Sequence, residues 1–115
     1  MNPDTVGTST VSINTPAGFS TPNNLQSITV TVSQPNIYAS DQTVGNDLQV
    51  DNVNCSLGAT PNVPKDVTVT VTDESVATIT TNPTITGSKS IIFPGVTTTG
   101  YLTFSVQGRS VGSTT

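Results

Sequence analysis

The chain has no histidine and no tryptophan, and its 115 residues include one cysteine, two tyrosines and three phenylalanines. Without histidine the commonest general base is missing, and neither a Ser–His nor a Cys–His nucleophile pair can form. One cysteine and no histidine cannot supply a tetrahedral zinc site. Cys55, being alone, closes no intrachain disulfide. Cations are equally scarce. Lys65, Lys89 and Arg109 are the only three, far apart in sequence and set against seven acids, for a net charge of -4. A phosphate-binding surface needs clustered Lys and Arg, so nucleic acid is not an expected partner, and anionic lipid is disfavoured for the same reason. No apolar run approaches the roughly 20 residues that cross a bilayer, so direct membrane insertion is not expected either. Lone hydroxyls without a base do no chemistry. The expectation is a protein that is not an enzyme and takes no cofactor.

What the chain does have is serine, threonine and valine. Ser and Thr together make up roughly a third of the residues, and the β-branched Thr and Val are stiff at χ1 and favoured in strands. Eight prolines and nine glycines punctuate the strand-like stretches. The clearest stretch is Asp66-Val67-Thr68-Val69-Thr70-Val71-Thr72. Side chains alternate across a strand, so its valines line one face and its threonines the other. One face is made for burial, the other for water without charge.

Further strands are expected along the chain. Thr8 to Ile13 alternates with Val11 and Ile13 in phase, and Leu25 to Ser33 places Ile28, Val30 and Val32 on one face. Ile37-Tyr38-Ala39 reads as a brief edge strand. In Asp47 to Leu57, Leu48 and Val50 share one phase while Val53, Cys55 and Leu57 share the other. A β-bulge near Asp51-Asn52 reconciles the two sets and leaves Cys55 as a buried core thiol. Val76 to Thr80 is expected beside the Asp66 strand across a tight turn. Asn82 to Gly87 is a loop with Ile85 turned inward, and Ser90 to Phe93 is a strand stopped by Pro94-Gly95. Tyr101 to Gln107 buries Leu102, Phe104 and Val106, and Val111 to Thr115 begins a last strand. Short strands with turn signals between them predict an all-β, antiparallel two-sheet immunoglobulin-like sandwich of about seven to nine strands. Residues 1–24 read as an N-terminal strand and linker, with Phe19 plugging the base of the sandwich, and residues 25–115 as the sandwich domain.

The second half resembles the immunoglobulin-like repeats strung along large bacterial and archaeal surface proteins and adhesins. Three pieces carry the resemblance: Val67 to Val71 followed by Asp73-Glu74-Ser75-Val76-Ala77-Thr78-Ile79, the stretch from Gly87 to Val106, and Val111-Gly112-Ser113-Thr114-Thr115. One subgroup has a Trp in the central strand, where Val71 stands here. Thr5-Val6-Gly7-Thr8-Ser9-Thr10 also echoes Ser110 to Thr115, which reads either as a tandem array or as chance matching in a Thr-rich chain. The resemblance implies an extracellular or cell-surface spacer without catalysis. Met1-Asn2-Pro3-Asp4 has neither a basic start nor an apolar core, so on this reading the chain is a fragment of a longer exported protein.

Candidate sites are few. Asp41, Asp47 and Asp51, with Asn46 and Asn52 between them, concentrate oxygens that calcium favours, without the spacing of a known loop; the alternative is a solvated loop. Asp73-Glu74 reads as turn chemistry rather than a catalytic pair. Asn54-Cys55-Ser56 is an N-glycosylation sequon, and alternation turns Asn54 away from the core. Tyr101 alternates outward and is the better aromatic for a sugar, with an ordinary cross-strand aromatic as the alternative; Tyr38 is the other. Some adhesin repeats of the kind this chain resembles carry a Lys–Asn isopeptide crosslink, for which Lys65 or Lys89 would be the lysine, but nothing in the local sequence supports one. The expected function is a spacer, stalk or adhesion module whose partners are neighbouring domains of the same parent. The alternatives are an accessory module that recognises a glycan or surface protein through its loops, and a strand-donating subunit of a fibre or capsid decoration.

Overall fold

A computed structural model of the chain describes residues 6–20 and 27–115. Among them the chain is all-β, with eight strands in three antiparallel sheets. It divides into two compact units, Met1–Gln34 and Pro35–Thr115. The expected boundary between residues 24 and 25 lies outside the described residues, as do Leu25 and Thr5 of the N-terminal echo.

The first unit holds β1 (Gly7–Ser12) and β2 (Ser27–Val32), which pair with each other from Gly7↔Val32 to Ser12↔Ser27. Val11 sits opposite Ile28, so the apolar side chains of the two strands share a face. That face stays largely in solvent: Ile28 is 63% exposed. Phe19, expected to plug a sandwich, is exposed as well, its backbone N–H turned back to the Pro16 carbonyl at 3.2 Å.

The second unit holds six strands: β3 (Ile37–Ala39), β4 (Gln49–Leu57), β5 (Lys65–Thr70), β6 (Ala77–Thr80), β7 (Ser90–Val96) and β8 (Leu102–Gly108). Four make one sheet in the order β3-β4-β8-β6, and β5 and β7 make a separate ribbon. β3 is the edge strand expected of Ile37-Tyr38-Ala39. The bulge expected near Asp51-Asn52 is present as a register shift between Val50 and Val53, with Asn52 at a φ of 59°. It lets Val50, opposite Val106, and Val53, opposite Phe104, share the inner face despite their odd spacing. Leu48, expected in phase with Val50, precedes β4 and is exposed.

Two strand expectations are corrected. β6 does not pair with β5; it pairs with β8, from Ala77↔Gly108 to Thr80↔Ser105, and β5 takes β7 as its partner. Asp73-Glu74-Ser75 is therefore a crossing between sheets rather than a hairpin turn. Nor does Pro94-Gly95 stop β7. Asp66 faces both residues in a bulge, where the missing Pro94 N–H costs no ladder bond, and the strand resumes at Val96 opposite Lys65. Gly95 takes a φ of 62°, which glycine adopts without a Cβ penalty, and its N–H donates to Asp66 Oδ1 at 2.8 Å.

Val53, Cys55, Val71, Ile79 and Phe104 form the core, and Ile79 is 1% exposed. Val69 of β5 and Ile91 and Phe93 of β7 pack against them. The alternation of Val67, Val69 and Val71 thus does turn one face inward. β6 is covered beyond its sheet partner too: Ile79 and Ser88 exchange two backbone hydrogen bonds of 2.9 Å on its outer edge. Val111 to Thr115 forms no strand, but its end reaches β5's continuation. Thr72 N–H donates to the Thr115 carbonyl at 2.8 Å, and the Thr114 hydroxyl accepts from the Asp73 N–H at 2.9 Å.

Candidate functional site

The outer face of the four-stranded sheet carries amides and hydroxyls in register. Gln49, Gln107 and Thr78 stand side by side in one row, and Ser105 and Thr80 in the next. Thr78, Thr80 and Ser105 are buried although polar. The loop from Asn82 to Gly87 lies over them, and Gln107 is its anchor. Gln107 Oε1 accepts from the Gly87 N–H at 2.7 Å and from the Thr78 hydroxyl at 3.3 Å. Its Nε2 donates to the Ile85 carbonyl at 2.8 Å and to Gln49 Oε1 at 2.7 Å. Ile85, expected to turn inward, is 55% exposed, because the loop attaches through its backbone rather than through that side chain. No buried side-chain nitrogen or oxygen among the described residues lacks a partner.

The acids named as calcium candidates are placed separately. Asp51 accepts from Gln49 Nε2 and from the Ser105 hydroxyl, both at 2.7 Å, and so belongs to the polar face just described. Asp47, at a φ of 58°, accepts from Asn46 Nδ2, and its N–H bonds the Gly108 carbonyl. Asp41 is exposed in the loop before them. No three His, Cys, Asp or Glu gather into a possible metal group among the described residues. A shallow depression of about 440 Å³ lies beside Asp47, bounded by Gln49, Thr78, Gln107 and Arg109.

Asp73 is a turn residue in detail. Its Oδ1 accepts from the Ser75 hydroxyl at 2.6 Å and from the Ser75 N–H at 2.9 Å. These bonds, with the positive charge of Lys89 adding to them, hold its carboxyl below the usual aspartate range. Cys55 is buried, and desolvation pushes its thiol above the usual cysteine range, which keeps it an unreactive core group.

At the other end of the same sheet the chain's only two tyrosines come together. Tyr38 pairs with Ser56 across β3 and β4, and Cys55 pairs with Leu102 across β4 and β8. Tyr101 immediately precedes β8 and borders the same depression as Tyr38 and Ser56. Asn54 pairs with Thr103 across β4 and β8. The Thr103 hydroxyl donates to Asn54 Oδ1 at 2.8 Å, which leaves the Asn54 Nδ2 hydrogens outside that bond. Tyr38, Ser40, Asn54, Ser56 and Tyr101 border a depression of about 630 Å³. Alternation along Tyr101 to Gln107 turns Tyr101 outward, but the meeting with Tyr38 depends on β3 joining the β4 edge, a pairing of distant segments. The sequon Asn54 is exposed, as its alternation requires.

No protein-family model, curated protein or solved structure matches this chain.

Proposed function

We propose that the protein is a non-catalytic immunoglobulin-like module, a spacer, stalk or adhesion element of a larger extracellular or cell-surface protein. In this reading the four-stranded sheet and the β5-β7 ribbon are the two layers of an antiparallel sandwich. The observation that carries it is the single apolar cluster built from both: Val53, Ile79 and Phe104 from one, with Val69, Ile91 and Phe93 of the other against them. The scarcity of charge supports the same reading, since solubility then rests on the Thr and Ser faces. Neighbouring domains of the parent are the expected partners. They would cover exposed strand edges that have few charged side chains to guard them.

Two measurements test the proposal. Nuclear Overhauser contacts between the Phe93 ring and Phe104 or Val53 are expected from a sandwich, and their absence overturns that architecture. An antibody raised against the chain should label intact cells of the producing organism and lose its target on brief external proteolysis. Labelling that needs permeabilised cells overturns the surface location.

A further inference from the structure

We propose that the depression bordered by Tyr38, Ser40, Asn54, Ser56 and Tyr101 is a binding site for a neutral saccharide. The two rings are 59% and 77% exposed, the largest side chains on this end of the sheet, and neither contributes to the core. Both tyrosines border one depression, together with the small Ser56, which is the cross-strand partner of Tyr38. The depression, of about 630 Å³, has room for a sugar ring.

The chemistry of the walls selects the ligand class. None of the residues bordering the depression is charged, so nothing there recognises an ionic group. The faces of the two rings carry negative potential and attract the polarised C–H bonds of a sugar face. Around them stand the hydroxyls of Ser40, Ser56 and both tyrosines, with the Nδ2 hydrogens of Asn54, matched to the alternating donors and acceptors of a sugar edge. A ligand with an apolar face, a hydroxylated rim and no charge is a carbohydrate. The site is also preformed: Ser56 and Asn54 sit on β4, held on both sides by β3 and β8. Tyr38 lies over Gly58, where a Cβ would meet the Asn36 carbonyl at 2.6 Å and the Tyr38 Cε2 at 3.2 Å. A glycan attached to Asn54 would present the same chemistry, so the test separates attached from free sugar.

Tyr38 and Tyr101 are the only tyrosines and there is no tryptophan, so intrinsic fluorescence reports this site alone. Unglycosylated protein is titrated with glucose, galactose, mannose and N-acetylglucosamine, then with cellohexaose, xylohexaose and mannohexaose. At least one probe should saturate the tyrosine signal with a Kd on the order of 1 mM. Amide shifts in heteronuclear NMR spectra should concentrate at residues 38–40, 54–56 and 101–103. Tyr38→Ala and Tyr101→Ala should each weaken binding about tenfold, while Tyr101→Phe stays within about threefold. Tyr38→Leu, which keeps apolar cover over Gly58 without a ring, should behave as Tyr38→Ala and stands in for it should that variant lose dispersion. Silence from every probe, shifts elsewhere, or alanine variants that bind as the parent does would overturn the proposal. So would glycan occupancy of Asn54 in a glycosylating host combined with no binding of free sugar.

Discussion

Ile28 and Ile79 stand in nearly the same local sequence, Ser27-Ile28-Thr29 and Thr78-Ile79-Thr80, and meet opposite fates. Ile28 is 63% exposed and Ile79 is 1% exposed. Both lie in antiparallel strands with period-2 alternation. What differs is the company. Among the described residues β2 pairs with β1 alone, and a two-stranded pair by itself buries little. β6 has β8 on one edge, Ser88 on the other, and the ribbon residues Val69, Ile91 and Phe93 at the core its Ile79 joins. Alternation therefore assigns a side chain to a face, and apolar side chains from other strands decide whether that face is buried.

The substitution that breaks this contrast most sharply is Ile79→Ala. It should cost about 4 kcal/mol through lost transfer energy and the cavity left behind, whereas Ile28→Ala should change stability by no more than about 0.5 kcal/mol. Urea unfolding of the two variants, followed by circular dichroism, provides the comparison. Comparable losses would mean that β2 is buried in solution.

A smaller loss, about 2 kcal/mol, is expected for Gln107→Leu, which deprives the Gly87 N–H and the Ile85 carbonyl of their partner. Hydrogen exchange at Gly87 should accelerate while exchange at Phe104 changes little, showing that the polar face holds the loop rather than the core. Gly95→Ala follows at about 1–2 kcal/mol, because a φ of 62° strains any residue with a Cβ. The matching change Ala39→Gly on the edge strand β3, where no such backbone is needed, should cost less.

The smallest effect concerns pH. Asp73 is held below the usual aspartate range chiefly by the Ser75 hydroxyl and N–H, so its folded-state value is depressed relative to the unfolded chain. The stability it contributes is present above the unfolded value and is lost as pH falls through the folded one, in the acid range below about pH 4. Carboxyl 13C titration of Ser75→Ala should show Asp73 moving back up toward the ordinary range. No movement would place the cause elsewhere.

Much of the second unit was legible from local pattern. The bulge at Asp51-Asn52 follows from the opposed phases of Val50 and Val53, and the burial of Cys55 follows from its place between Val53 and Leu57. The errors fall where local rules compete with long-range pairing. Asp73-Glu74-Ser75 looks like a hairpin turn, yet β6 pairs with β8, some thirty residues further on. Pro94-Gly95 looks like a stop, yet the bulge opposite Asp66 absorbs both residues. Ile85 looks like an inward side chain, yet the loop is anchored by Gln107, whose role no local signal marks.

By itself the sequence determined that the chain is rich in strands and which side of most of them is apolar. These follow from residue type and period-2 spacing, which act over a few residues. Which strands meet, which apolar faces are covered, and that Tyr38 and Tyr101 border one depression were decided by the tertiary structure alone. Such pairings join segments tens of residues apart, and their selection depends on the summed burial of whole faces rather than on any stretch read in isolation.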